Sequence, residues 1–217
     1  MNKRFLKKRK TIFELIKKAD YKKALDLAAK LANENKDCVF AQATYASVLG
    51  DFAEFNDTTN SKSLKKKAAK LLYKLTRRLK NQDIKTVGYV RNEYYYHSGQ
   101  FKKQYELGCE LARRGATYPY YTQGVGASNY AYQLALKRQF VKARKWAKKA
   151  VQAWKKEIRS RPDYYNSYVH YALALGISGN TKKASEALII AERLSGKNKD
   201  YIEFRAVRDR LKALKPL

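Results

Sequence analysis

Apolar residues recur at intervals of three and four along most of this sequence, and that interval is the period of an amphipathic α-helix. The clearest stripe runs from Phe140 to Ile158, with Ala143, Ala147 and Trp154 on the same side and lysines on the other side. Three prolines interrupt the 217 residues, and alternating strand-like patterns are absent from the sequence. The pattern predicts an all-α protein.

The core that these helices can build is rich in tyrosine and alanine. The chain contains 18 Tyr, and 45% of its residues are hydrophobic. Val, Ile, Leu and Phe together make up roughly a fifth of the chain, which is close to the composition of disordered proteins. We therefore expect an interior in which flat aromatic rings pack against small side chains.

A helix-turn-helix unit occurs several times, most clearly in residues 164–194. Its marker residues are Tyr168, Tyr171, Ala172 and Leu175 in the first helix, Gly179 in the turn, and Ala184, Leu188 and Ala191 in the second helix. This unit resembles the tetratricopeptide repeat, in which small residues lie where helices cross closely. The resemblance implies a right-handed α-solenoid built from stacked helix pairs.

Weaker copies of the unit extend over nearly the whole chain. Their marker residues are Tyr21, Ala24, Ala28 and Leu31; Tyr45, Ala46, Leu49, Ala68, Leu72 and Leu75; Tyr95, Gly99, Phe101, Gly108 and Leu111; and Tyr130, Ala131, Leu134, Phe140, Ala143, Ala147 and Ala150. The resemblance then implies about five repeats in a single domain, 1–217. We also predict a basic segment at 1–11, an insertion at about 51–63 and a capping helix at about 199–213. An irregular all-α bundle is the alternative.

The residues that enzymes and metal sites need are sparse. His97 and His170 are the two histidines, and neither has a nucleophile, a metal-ligand spacing or a carboxylate motif beside it in the sequence. The glycine-containing stretch 124–129 lacks the preceding strand and third glycine of a phosphate-binding loop, so we expect close helix packing there. The sequence predicts a non-enzymatic protein with no cofactor and no metal.

The expected compartment is the cytoplasm. The apolar run that a secretory signal requires does not follow the basic N-terminus, and no stretch approaches the roughly 20 apolar residues of a membrane span. Cys38 and Cys109 lie far apart without the spacing of a metal site or a disulfide framework. We expect a protein without a transmembrane segment.

The formal net charge of +29 is concentrated in two runs. Residues 61–81 contain no acid, and Glu157 is the one acid in residues 137–161. The tetratricopeptide resemblance places both runs on second helices of repeats, which face the convex side. The predicted polyanion-binding residues are Lys66, Lys70, Lys74, Arg77, Arg78, Lys142, Lys145, Lys149 and Lys156. A merely solvated lysine-rich face is the alternative.

The first helices of the repeats would line a concave groove, in which tyrosine is the commonest aromatic residue. The groove residues that the resemblance implies are Tyr89, Glu93, Tyr96, His97, Asn129, Tyr132, Asn166 and His170. Tyrosine and asparagine suit peptide binding, while tyrosine rings interleaved with arginine also suit stacking of single-stranded bases. The tyrosines that the repeat framework does not require are Tyr94, Tyr96, Tyr118, Tyr120, Tyr121 and Tyr132.

Three functional hypotheses follow from these patterns. The first is a tetratricopeptide-type scaffold or adaptor that holds a protein or peptide in its groove and an acidic partner on its basic face. The second is direct, largely sequence-independent RNA or DNA binding, which predicts strong salt dependence. The third is attachment to a membrane surface through the amphipathic segment 3–18. No oligomeric state is predicted.

Overall fold

A computed structural model of the protein describes residues 3–18, 20–55, 59–116, 118–196 and 202–213. These residues form eleven α-helices and no strand, which confirms the predicted all-α class. In chain order the helices are α1 (Lys3–Lys17), α2 (Tyr21–Glu34), α3 (Val39–Phe55), α4 (Ser61–Thr76), α5 (Ile84–His97), α6 (Phe101–Arg113), α7 (Pro119–Leu136), α8 (Phe140–Ser160), α9 (Tyr165–Ile177), α10 (Thr181–Ser195) and α11 (Ile202–Ala213).

The chain divides into two compact units, Met1–Gln100 and Phe101–Leu217. In the first unit each helix from α1 to α5 packs on the next one along the chain, and α3 also packs on α5. In the second unit α6 to α10 pack consecutively, while α9 also contacts α7 and α11. Contacts between alternate helices are what stacked helix pairs produce. The solenoid and the number of repeats stay predictions.

Helices α5, α7 and α9 end in the same way. The residue after each C-cap has a left-handed backbone, with φ of 70° at Gly99, 57° at Arg138 and 92° at Gly179. In each case the next amide donates to a carbonyl five residues earlier, as Gln100 N does to Tyr95 O at 2.8 Å. This is the Schellman arrangement, for which glycine is favoured because it lacks a Cβ. The marker glycines Gly99 and Gly179 therefore serve helix termination.

The glycine-containing stretch 124–129 lies inside α7, as its lack of a preceding strand predicted. A Cβ on Gly124 would stand 2.4 Å from the Trp154 ring of α8. A Cβ on Gly126 would stand 2.5 Å from Tyr105 N and 2.8 Å from Phe101 O of α6. Glycine at these positions lets α7 approach both neighbouring helices closely.

The stretch 51–63, predicted as an insertion, has helical residues at both ends. Helix α3 continues to Phe55 and α4 begins at Ser61, while residues 56–58 lie outside the described residues. The insertion predicted at about 51–63 is therefore shorter than its predicted bounds. At the C-terminal end α11 covers most of the cap predicted at 199–213, and its Phe204 and Val207 are buried in a core cluster with residues of α7 to α10.

Helix α1 contributes its apolar side to the core of the first unit. Phe5 and Ile12 are buried with Ala24, Leu31 and Phe40 from α2 and α3. The membrane-surface hypothesis needs that same apolar side to face lipid. The packing of Phe5 and Ile12 leaves Leu6 as the exposed apolar side chain of α1, which gives this hypothesis little support. Among the described residues, no helix combines the length and the apolar character needed to cross a bilayer.

Rings and small residues share the core of the second unit, as the composition predicted. Buried Ala143 and Ala147 belong to a cluster against which Tyr130 and Trp146 pack. The Tyr130 and Trp146 rings meet edge to face with their centroids 4.9 Å apart. Such pairs stabilise a core beyond the area they bury.

Candidate functional site

The basic residues predicted on α4 and just after it form an exposed surface, here called the α4 basic face. It consists of Lys66, Lys70, Lys74, Arg77 and Arg78. The opposite side of the helix buries alanine and leucine against α3 and α5. The arrangement follows from the apolar stripe, because the lysines occupy the positions that the core does not use.

The two arginines of the α4 basic face have partners within the first unit. Arg77 Nη2 donates to the Tyr73 hydroxyl at 3.0 Å, and its guanidinium lies 4.9 Å from the centre of that ring. Arg78 Nη2 donates to the Asp37 carbonyl at 3.2 Å. Among the described residues, no acid forms an ion pair with the three lysines of this face.

The second basic surface lies on α8 and is here called the α8 basic face. It contains the predicted residues and two neighbours on the same exposed side, namely Lys142, Lys145, Lys148, Lys149, Lys155 and Lys156. Lys149 is half-buried, and its Nζ lies 4.3 Å from the centre of the Trp146 ring. The other five lysines are exposed.

The one acid of α8 is not on this exposed surface. Glu157 is completely buried, and its Oε1 accepts a hydrogen bond of 2.6 Å from Arg161 Nε. In the sequence, the spacing of four residues between Glu157 and Arg161 is the one sign of this pairing, and it does not show that Glu157 is buried. With Glu157 inside, the α8 basic face presents positive charge without compensation from its own helix. Lysines three or four residues apart repel each other and destabilise the helix slightly, and a bound polyanion would reverse this effect.

Four predicted groove residues lie on α5. Tyr89, Glu93 and His97 among them meet side chains of α3 in a polar cluster. Ser47 Oγ donates to Glu93 Oε2 at 2.6 Å, and Asn92 Nδ2 donates to Glu93 Oε1 at 2.9 Å. His97 Nε2 lies 3.7 Å from Glu93 Oε2 and 3.9 Å from Asp51 Oδ1. The His97 side chain is 1% exposed, and its ring lies against Gly50, where a Cβ would stand 2.3 Å away.

The same cluster shifts the protonation of its members. Burial opposes the charge of Glu93, but His97, Ser47 and Asn92 hold the pKa of this carboxyl below its usual value. Burial also opposes protonation of His97, yet the Glu93 and Asp51 carboxylates raise the pKa of the imidazole. Burial and the Glu93 carboxylate raise the pKa of Tyr89 to about 12. The Arg9 guanidinium lies 5.0 Å from the centre of the Tyr89 ring.

Replacement of His97 by glutamine is expected to change how the first unit responds to pH. Because the folded pKa of His97 is raised, the stability it adds is fully present below its unfolded pKa of about 6.5 and is lost as the pH rises through the folded pKa. After correction for the intrinsic pH dependence of amide exchange, the exchange rate of α5 in wild type should therefore fall as the pH moves from mildly alkaline to mildly acidic. His97→Gln should lack that gain, and an identical gain in the variant would contradict the assignment.

The predicted groove residues of the second unit are largely enclosed by their own unit. Asn129 and Asn166 are 5% and 6% exposed. Asn129 Oδ1 accepts a hydrogen bond of 2.9 Å from Arg210 Nη1 of α11, and the Arg210 guanidinium lies 5.2 Å from the centre of the half-buried Tyr132 ring. The sequence did not point to Arg210, because the repeat pattern assigns no groove position to a capping helix.

His170 stacks on Trp154 inside the second unit. The two ring centroids are 5.4 Å apart, and the planes are nearly parallel at 10°. Trp154 Nε1 also donates to Ser128 Oγ at 2.9 Å. Burial, followed by the nearby Arg210 cation, lowers the pKa of His170 to about 4. His170 therefore packs as a neutral ring at pH 7, and its predicted groove role stays a prediction.

One arginine and three tyrosines lie close together where α7 begins, α8 ends and α9 begins. This group, here called the Arg161 aromatic cluster, consists of Arg161, Tyr118, Tyr121 and Tyr164. The Arg161 guanidinium lies 4.0 Å from the centre of Tyr118, 5.7 Å from Tyr121 and 4.3 Å from Tyr164. The sequence singled out Tyr118 and Tyr121 as tyrosines outside the repeat framework. It did not indicate that Arg161 joins them.

The described residues contain no group of three or more His, Cys, Asp or Glu that could hold a metal ion. Cys38 and Cys109 are both free thiols. Comparison of the chain with protein-family models, curated proteins and solved structures found no match.

Proposed function

We propose that this protein is a non-enzymatic binding protein that holds RNA or DNA on its basic helix faces through largely sequence-independent contacts. The observation that supports this proposal is the α8 basic face, on which exposed lysines are accompanied by no exposed acid of the same helix. The α4 basic face repeats the pattern in the first unit.

The residue types favour phosphate contact over base reading. Lysine carries a compact, flexible charge that binds phosphate without the bidentate geometry that arginine uses to read base edges. Lys142, Lys145 and Lys148 follow one another at three-residue spacing along α8 and are all exposed. They can therefore approach successive phosphates of a strand, and each contact would release condensed counterions.

Neutralising three lysines of the α8 basic face is expected to flatten the salt dependence of binding. For the triple variant Lys142→Gln, Lys145→Gln and Lys148→Gln, the slope of log affinity against log salt should fall by about 2 to 3 on duplex DNA, since each lost phosphate contact removes about 0.9. Fluorescence anisotropy of a labelled duplex, titrated at several salt concentrations, measures both slopes.

A matched control removes the same number of charges elsewhere. Lys36, Lys85 and Lys182 are exposed lysines outside both basic faces, and their triple glutamine variant has the same net charge as the α8 variant. Its slope should stay close to that of wild type. Equal slopes for the two triple variants would contradict a role for the α8 basic face. Absence of both duplex and single-strand binding by wild type at about 50 mM salt would overturn the proposed function.

A second candidate is a tetratricopeptide-type scaffold for an acidic protein. The contacts of α3 with α5 and of α7 with α9 favour it, because stacked repeats bring alternate helices together. The half-buried Tyr96 and Tyr132 are the predicted groove residues through which a peptide would bind. Tighter binding of labelled polyglutamate than of an oligonucleotide with equal charge would favour this candidate.

A further inference from the structure

Tyr118 has an unusual backbone for its residue type and position. Its φ of 57° and ψ of 44° lie in the left-handed region, and it immediately precedes Pro119. Bulky L-residues avoid that region, and residues before proline favour extended backbone. Even so, 51% of Tyr118 is exposed, so its ring is not held there to fill the core. A strained conformation that displays an aromatic ring is a starting point for a functional hypothesis.

Arg161 holds this ring from one side. Its guanidinium lies 4.0 Å from the centre of Tyr118 and 4.3 Å from the centre of Tyr164. The guanidinium is itself anchored, because Arg161 Nε donates to the completely buried carboxylate of Glu157 at 2.6 Å. The ring and the cation therefore form a positioned pair at the surface of the second unit.

Positively charged residues lie close to Arg161 in the sequence. Lys155, Lys156 and Arg159 are exposed in the last turns of α8, just before Arg161. Lys156 Nζ lies 5.2 Å from the centre of Tyr120, which places a second ring beside a cation. Asp163 is the exposed acid closest in sequence to Arg161. Cations still outnumber exposed acids along this end of α8.

We propose that the Arg161 aromatic cluster, with the adjacent end of α8, binds single-stranded RNA or DNA. A base stacks on Tyr118, and the backbone phosphates contact Lys155, Lys156 and Arg159. Rings beside cations suit a single strand, because every base has a π-face and every nucleotide carries a phosphate. A duplex keeps its bases stacked inside and cannot use the ring. This inference rests on the proposed function and identifies the form of nucleic acid that this part of the molecule prefers.

The test compares three probes on variants of Tyr118. The probes are labelled oligothymidylate of about twelve nucleotides, an abasic strand of the same length and a duplex of the same length, within the site sizes of single-strand-binding proteins. Tyr118→Leu should weaken oligothymidylate binding about tenfold, the loss of one stacked base. Tyr118→Phe keeps the ring and should bind like wild type. Binding of the abasic strand and the duplex should be the same for all variants.

A second substitution at Tyr118 serves as the control for correct folding. Glycine adopts a left-handed backbone without steric cost, so Tyr118→Gly should fold while lacking the ring. It should lose oligothymidylate affinity as Tyr118→Leu does. If both variants bind oligothymidylate like wild type, or if wild type binds the abasic strand equally well, the stacking inference is overturned while duplex binding still stands. Failure of wild type to bind any of the three probes at about 50 mM salt would instead overturn the proposed function.

Discussion

Alanine at Gly126 is expected to destabilise the second unit by about 2 to 3 kcal/mol. The added Cβ would stand 2.5 Å from Tyr105 N and 2.8 Å from Phe101 O, both backbone atoms of α6. A backbone cannot rotate away as a side-chain end can, so α6 and α7 must separate. Alanine favours a helix over glycine by about 1 kcal/mol, and this gain offsets only part of the cost.

Urea unfolding followed by tryptophan fluorescence measures this effect in the second unit, since both tryptophans, Trp146 and Trp154, belong to it. Gly176→Ala is the matched control. A Cβ on Gly176 would meet Leu211 Cδ2 at 2.2 Å, and the next contact is 3.6 Å away on the same side chain. That side chain can rotate, so the control should stay close to wild type. Equal stability of the two alanine variants would show that the α6–α7 approach tolerates a methyl group.

Acidification is expected to weaken the second unit through His170. The folded pKa is lowered to about 4 because the imidazole is buried beside Trp154 and near the Arg210 cation. The unfolded pKa is about 6.5, so between these values the unfolded chain binds a proton that the folded unit does not bind. The stability that His170 contributes is therefore present above pH 6.5 and is lost as the pH falls toward 4. From about pH 7.5 to about pH 5 the loss should be about 2 kcal/mol.

His170→Phe separates this effect from other titrations. The phenyl ring can keep the stacking on Trp154, which has a centroid distance of 5.4 Å in wild type, but it cannot bind a proton. The free energy of unfolding, measured by urea titration of the tryptophan signal at both pH values, should therefore differ less between the two pH values in the variant than in wild type, by about 2 kcal/mol. His97→Gln lies in the other unit and should leave the tryptophan signal unchanged. An identical pH response in wild type and His170→Phe would rule out His170 as its source.

Much of the helical organisation was predictable because it depends on local pattern. The stripe from Phe140 to Ile158 became α8, and the marker glycines at 99 and 179 became helix ends with a left-handed backbone. The turn at Arg138 was not predictable in this way. Arg138 takes the same backbone conformation after α7 without being glycine, so the residue type alone did not mark the turn.

The exposure of the predicted site residues was harder to predict. Helical periodicity assigns each residue to a side of its helix, but it does not show which other helix covers that side. Most lysines of α4 and α8 are exposed because they occupy the positions that the apolar stripe of each helix does not use. Asn129 and His170 had equally plausible positions, yet Arg210 and Trp154 occupy the space around them. Both neighbours come from other helices, and no local spacing links them to their partners.

The sequence by itself determined the all-α class, the course of most helices and the sides on which the lysines lie. These properties depend on a period of three to four residues and on the spacing of charges, and both can be read from the chain alone. Tertiary structure alone decided that Glu157 turns inward to anchor Arg161, and that Arg161 in turn supports the exposed ring of Tyr118. The physical reason is that this group joins the ends of three helices, whose meeting depends on packing.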